Sequence, residues 1–165
     1  MKKFISVCGS DEDDKNLSSY ALKAAEIVGK LIAQRRGVLV CGGRGGVMKA
    51  ACKGAKEERG ITIGILPGSK DEANEFVDIA FPTNLGHIRN FLVVNASDAV
   101  IAIGGRWGTL NEISFAMIQK KPLILIRGTG GCVDEILRVN LMQDIESTYY
   151  IADSAEEAVE KAFEL

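Results

Sequence analysis

Apolar positions along the chain fall into two alternating patterns. Short, β-rich apolar runs stop at glycine or proline, and between them apolar residues recur at spacings of three and four. Residues 4–8, 38–41, 61–66, 77–81, 99–103, 122–126 and 148–151 read as strands. The helical spacing predicts helices over 17–36, 47–58, 87–96, 110–120 and 154–163, with one more over 133–142. In the first, Leu17, Tyr20, Ala21, Ala24, Ile27, Val28, Leu31 and Ile32 form one face, and Gly37 closes the helix. Residues 69–76 are polar and read as a loop, and 127–147 read either as a lid or as an ordinary helix.

Most of these strands are apolar on both faces, as in a parallel sheet covered on both sides by helices. Right-handed crossovers then give an α/β, doubly wound, Rossmann-like parallel sheet of about six to seven strands with helices on both faces. No boundary, repeat or low-complexity segment divides the chain, so residues 1–165 are expected to form one domain. A chain of this length buries roughly 70% of its unfolded surface.

Composition narrows the function. Hydrophobic residues make up 47% and charged residues 25%, as in a globular protein rather than a disordered one. The formal net charge of −2 and the 6% aromatic content give no basic face or stacking platform, so no nucleic-acid partner is expected. The apolar run at 4–8 is too short for a signal-peptide core, and no stretch approaches a membrane span. Cys8, Cys41, Cys52 and Cys132 lack metal-ligand or disulfide-scaffold spacing. Free thiols in a reducing cytoplasm, with no membrane contact and no metal site, are the simplest expectation.

Glycine is the outlier, with 18 in 165 residues against roughly 7% in an average protein. Two glycine-rich loops, Cys41-Gly42-Gly43-Arg44-Gly45-Gly46 and Gly104-Gly105-Arg106-Trp107-Gly108-Thr109, each follow an apolar strand and open a helix. Gly9-Ser10 ends the first strand in a similar way. Backbone amides brought close by glycine, at the positive end of a helix, cradle a phosphate. Neither loop matches the dinucleotide fingerprint or a P-loop. A small phosphorylated ligand is therefore expected, held by Gly9, Ser10, Gly42, Gly43, Gly45, Gly104, Gly105, Gly108 and Thr109.

Other polar residues have competing readings. Thr109-Leu110-Asn111-Glu112 fits a capping box, with Thr109 as cap, and equally places Glu112 one turn inside a phosphate-binding helix. Arg89 could reach a phosphate or hold a carboxylate, or could be a surface residue. His87 is the only histidine, which excludes a multi-histidine metal site and leaves a helix-start or dimer-contact role. The run Asp11-Glu12-Asp13-Asp14 could hold Mg²⁺ beside a phosphate, but it reads first as a solvated loop capping the first helix. Trp107 either walls a pocket or packs.

Residues 104–112, in the form G-G-x-x-G-T-x-x-E, resemble the P-G-G-x-G-T-x-x-E signature of the lonely-guy family of phosphoribohydrolases. His87-Ile88-Arg89-Asn90 resembles the H-x-R-K segment of that family. Residues 41–55 and 61–68 look still more like uncharacterised relatives and molybdenum-cofactor carrier proteins. The resemblance runs from about residue 4 to residue 126. It implies a homodimer that hydrolyses the N-glycosidic bond of nucleoside 5′-monophosphates, with Arg89 and Glu112 as the catalytic pair. No added cofactor is needed for that reaction. Ile103 and Asn90 replace the proline and lysine of the signature, changes shared with the carrier-like branch. That branch implies the alternative: a non-catalytic carrier or sensor of a nucleotide or molybdenum-pterin cofactor, with a bound nucleotide or phosphorylated pterin. The family's older label, "possible lysine decarboxylase", has no support, because no lysine sits in a pyridoxal-phosphate context.

Overall fold

A computed structural model describes residues 1–141 and 149–165. Its strands are β1 (Phe4–Gly9), β2 (Val38–Cys41), β3 (Ile61–Leu66), β4 (Ile79–Pro82), β5 (Ala99–Ile103), β6 (Leu123–Ile126) and β7 (Tyr150–Ala152). They form one sheet in the order β4-β3-β2-β1-β5-β6-β7, and every pairing is parallel. The helices are α1 (Ser19–Gln34), α2 (Gly46–Glu57), α3 (Asn90–Asn95), α4 (Trp107–Ile118), α5 (Gly131–Val139) and α6 (Ala155–Glu164). Single 3-10 turns cover Lys70–Glu72 and Gly86–Arg89.

Alternation along the strands feeds both faces. Ile5, Val7, Leu39, Cys41, Ile101, Ile103, Ile124 and Ile126 point into a core closed by α1, α2 and α6. Cys8, Val100, Ala102, Leu123 and Leu125 point the other way, under α3, α4 and α5. The sheet is therefore doubly wound, as the two-sided apolar runs require. Tyr150 packs toward the first core and Tyr149 toward the second.

Capping explains where helices start. Ser18 keeps an extended backbone and accepts a bond from the Ala21 amide at 3.1 Å, so α1 starts after Leu17 rather than at it. The acidic run before it does not supply this cap. Ser154 caps α6 in the same way, through the Glu157 amide. α1 and α2 touch through glycines: a Cβ at Gly29 would lie 1.8 Å from the Ala51 carbonyl oxygen, and one at Gly54 would lie 1.9 Å from that of Glu26. The helices thus approach backbone to backbone.

Pairing of β4 begins at Ile79 rather than at 77, because Asp78 turns its carboxylate onto the Thr62 amide. The expected end of the 133–142 helix at Met142 and the expected start of the 148–151 strand at Thr148 lie outside the described residues. Among the described residues no helix is long and apolar enough to cross a membrane.

From β1 the chain steps outward to β4 and then returns to place β5 on the other side of β1. Strand order therefore reverses between β1 and β5, where ligands bind in open parallel sheets. The turns after β1, β2 and β5 all lie at that carboxyl edge.

Candidate functional site

The turn after β5 is fixed before it can hold anything. Gly104 and Gly105 take φ of 59° and 93°, which a side chain resists. The Gly104 amide donates to Thr129 Oγ1 at 2.9 Å and the Gly105 amide to Ser10 Oγ at 2.8 Å. The Gly105 carbonyl accepts from the Cys132 amide at 2.7 Å. These bonds set the start of α4. Its first-turn amides, from Trp107, Gly108 and Thr109, have no carbonyl one turn back. They give the helix a donor-rich, partly positive end.

The expected capping box does not form. α4 begins at Trp107 with Arg106 at the cap position, so Thr109 is already the third helical residue. Glu112 is turned inward and is 6% exposed. Its carboxylate lies 3.7 Å from Arg89 Nη1, and both side chains are 8% exposed.

Arg89 ends the turn before α3. It donates from Nη1 to Asn90 Oδ1 and from Nη2 to the Gly42 carbonyl at 3.3 Å, while its buried Nε has no partner. Asn90 in turn donates to the Gly108 carbonyl at 3.4 Å and to Asn111 Oδ1 at 3.0 Å. One chain of contacts thus links the turn after β2 to the start of α4. Burial pushes the Glu112 carboxyl up to about 7, although Arg89 and a bond from the Cys8 thiol oppose the rise. Burial also lowers the pKa of Arg89, against the pull of Glu112. A carboxyl that gains and loses a proton near neutrality can act as acid or base.

The turns after β1 and β2 complete the walls. The Ser10 carbonyl accepts from the Val47 amide at 2.9 Å and so occupies part of the α2 start. Gly43, at φ 76°, lies over Leu66, and Gly45 is the cap residue of α2 beside Glu12. Asp11 pairs with Arg44 at 3.3 Å, and Asp13 pairs with Arg106. Among the described residues no group of three or more His, Cys, Asp or Glu is placed to hold a metal ion.

Together these elements enclose a cavity of about 230 Å³. Six of the expected residues line it: Gly9, Ser10, Arg89, Gly108, Thr109 and Glu112. Gly42, Gly43, Gly45, Gly104 and Gly105 lie behind that lining and shape its turns. Arg44, Met48, Asn90 and Arg106 also line it, outside the residues expected from the sequence, as do Asp11 and Asp13, which the acidic run offered only beside a metal ion. His87 is at the rim. Trp107 neither walls the cavity nor packs inward; it is 83% exposed.

A third glycine turn supports the site from outside. Gly128-Thr129-Gly130-Gly131 follows β6 and opens α5, with positive φ at all three glycines. Asp134 accepts from the amides of Gly128 and Gly130, both at 2.8 Å, so these donors are satisfied internally. A Cβ at Gly131 would lie 2.3 Å from the Gly105 carbonyl oxygen. The repeat of an apolar strand followed by glycines was the available sequence signal for this turn.

Comparison with known proteins places this geometry among relatives. Residues 2–159 match the SLOG cluster4 family. The molybdenum cofactor binding protein of Rippkaea orientalis is 40% identical, with a TM-score of 0.85 over 97% of this chain and 94% of that one. The molybdenum cofactor carrier protein of Chlamydomonas reinhardtii is 32% identical, with a TM-score of 0.84 over 100% of this chain and 98% of that one. A probable cytokinin riboside 5′-monophosphate phosphoribohydrolase of Oryza sativa subsp. japonica is 29% identical over 74% of this chain, which spans 57% of that relative's length.

Proposed function

Because the chain belongs to the SLOG cluster4 family, in the molybdenum-cofactor-carrier-like branch of the lonely-guy superfamily, we propose that it binds and holds a phosphorylated small molecule of nucleotide or pterin type. One observation carries this reading. The open amides of α4, the buried Arg89–Glu112 pair and the β1 turn converge on a single cavity. The phosphate takes the first-turn amides of Gly108 and Thr109, where donors and the helix field favour an anion. The sugar or ring then lies toward Glu112. Carriage of a molybdenum-pterin cofactor is supported by likeness over the whole chain to two proteins described as binding or carrying that cofactor.

A second reading is favoured by Glu112 itself. Cleavage of an N-glycosidic bond builds positive charge on the ribose, and a carboxylate facing that sugar stabilises the charge or activates water. With its carboxyl near 7, Glu112 is available in both forms at neutral pH, and Arg89 is the neighbouring cation that holds it. The same experiment separates the two readings. Purified protein and its Glu112→Gln variant are incubated with a panel of nucleoside 5′-monophosphates. Free base and ribose 5-phosphate are measured, and native mass spectrometry reports bound ligand. Bound phosphorylated ligand without turnover supports carriage, and turnover lost only in the variant supports hydrolysis. If no phosphorylated ligand binds, neither reading stands. Arg89→Ala is expected to weaken phosphorylated ligands by roughly 30-fold, as loss of a charge-assisted donor does.

The family resemblance also implies a homodimer, and the surface supports one. Ile88, Trp107 and Ile118 are 72%, 83% and 71% exposed. Ile88 and Trp107 border a groove with Phe115, which stacks edge-on with Phe91. His87, Asn90 and Gly108 line both groove and cavity. Contiguous apolar surface of this kind marks an interface. The protein is proposed to be cytoplasmic. Trp107→Glu together with Ile88→Asp is expected to convert dimer to monomer in light scattering at micromolar protein. A monomeric parent protein at that concentration would sink the dimer.

A further inference from the structure

We propose that Asp11 and Asp13 select for ligands bearing a single phosphoryl group and reject pyrophosphates. The inference rests on the phosphate-binding reading of the cavity and names the charge of ligand it accepts. The ionisable side chains of the lining, His87 aside, are three arginines, Arg44, Arg89 and Arg106, and three carboxylates, Asp11, Asp13 and Glu112. Arg89 faces Glu112 in the floor. Arg44 and Arg106 rise from the turns after β2 and β5, on opposite sides of the β1 turn. Two arginines flanking an open helix end would by themselves suit a chain of phosphates. Here each already has a carboxylate partner. Asp11 holds Arg44 and Asp13 holds Arg106, both from the one turn between them.

One phosphate does not need these arginines, since the α4 amides supply uncharged donors. A second phosphate reaches toward the two arginines instead. It must either displace a carboxylate from its arginine or share that arginine with it. Either way, negative charge accumulates at the mouth of the cavity. Coulomb repulsion at this range in a partly solvated cleft corresponds to roughly tenfold in affinity for each unpaired charge. Asp11 is the more confined of the two, with 20% side-chain exposure against 72% for Asp13.

Asparagine tests this with little change of shape. Asp11 Oδ1 accepts the Glu12 amide at 2.8 Å, a bond that asparagine can keep. Adenosine 5′-mono-, di- and triphosphate are titrated calorimetrically into the parent protein, Asp11→Asn, Asp13→Asn and the double variant, at low salt with EDTA. The parent is expected to bind the monophosphate at least tenfold more tightly than the diphosphate. Each variant should gain roughly tenfold for the diphosphate and no more than about threefold for the monophosphate. High salt should shrink the difference. Equal changes for all three nucleotides would mean that the aspartates only brace the loop, and the inference would fail while the binding site stood. No binding of any nucleotide by the parent would overturn the inference together with the nucleotide reading of the site. If Asp11→Asn melts earlier than the parent, Asp13→Asn, at a mostly exposed side chain, decides the question alone.

Discussion

Replacing Glu112 by glutamine is expected to remove a loss of stability that the parent protein suffers between about pH 4.5 and pH 7. Burial lifts this carboxyl from its ordinary 4.5 to about 7, so the folded chain holds the proton more tightly than the unfolded chain does. That advantage is complete below the unfolded value and disappears as pH rises through the folded one. Across the window it amounts to about 3 kcal/mol, a large fraction of a typical domain's stability. Glutamine carries no titrating proton, so its stability curve should lack this step. Denaturant unfolding at half-unit pH intervals from 4 to 8.5 compares the two. Parallel curves across that range would show that Glu112 does not titrate in the folded protein near neutrality. Ionised Glu112 still has Arg89 at 3.7 Å, which keeps the step finite.

The second large effect concerns glycine in helices. Gly29→Ala is expected to destabilise the protein by about 3 kcal/mol, and Gly108→Ala to change it by less than about 1 kcal/mol in the stabilising direction. Alanine normally favours a helix over glycine. At Gly29 the added methyl meets the Ala51 carbonyl at 1.8 Å, a backbone atom that cannot rotate away. α1 and α2 must then separate along a contact that both helices make through glycine. At Gly108 nothing lies within 4 Å, so only the propensity term remains. Thermal melts of the two variants measure the contrast directly. A Gly29→Ala protein as stable as the parent would show that the two helices can part without loss.

Much of this architecture was legible because the strands announce themselves. The runs 61–66 and 99–103 coincide with β3 and β5, since each is rich in β-branched residues and is followed by a turn-forming pair, Pro67-Gly68 and Gly104-Gly105. The start of α4 was not legible. Thr109 and Glu112 have the spacing of a cap and its partner, and local pattern favours that reading. What overrides it is tertiary: the Gly104–Gly105 turn is tied to Thr129 and Ser10, and buried Arg89 draws Glu112 inward. The roles of Asp11 and Asp13 were hidden for a related reason. Asp13 meets Arg106 across 93 positions of chain, a distance that no local pattern encodes. A run of four acidic residues reads as a solvated loop until the sheet brings the arginines to it.

Ser10 and Gly105, which join two walls of the cavity, are 95 positions apart. They meet only because β5 docks beside β1 after the chain has built β2, β3 and β4 on the other side. A partly assembled sheet of the first four strands therefore owns the glycines of two turns but no pocket. Closing so distant a contact carries a large loop-closure cost and is intrinsically slow. A ligand that requires it recognises the finished molecule and nothing before it. Its binding energy then adds in full to the native state, by mass action. Occupancy of this cavity is thus a report on the completeness of the whole fold.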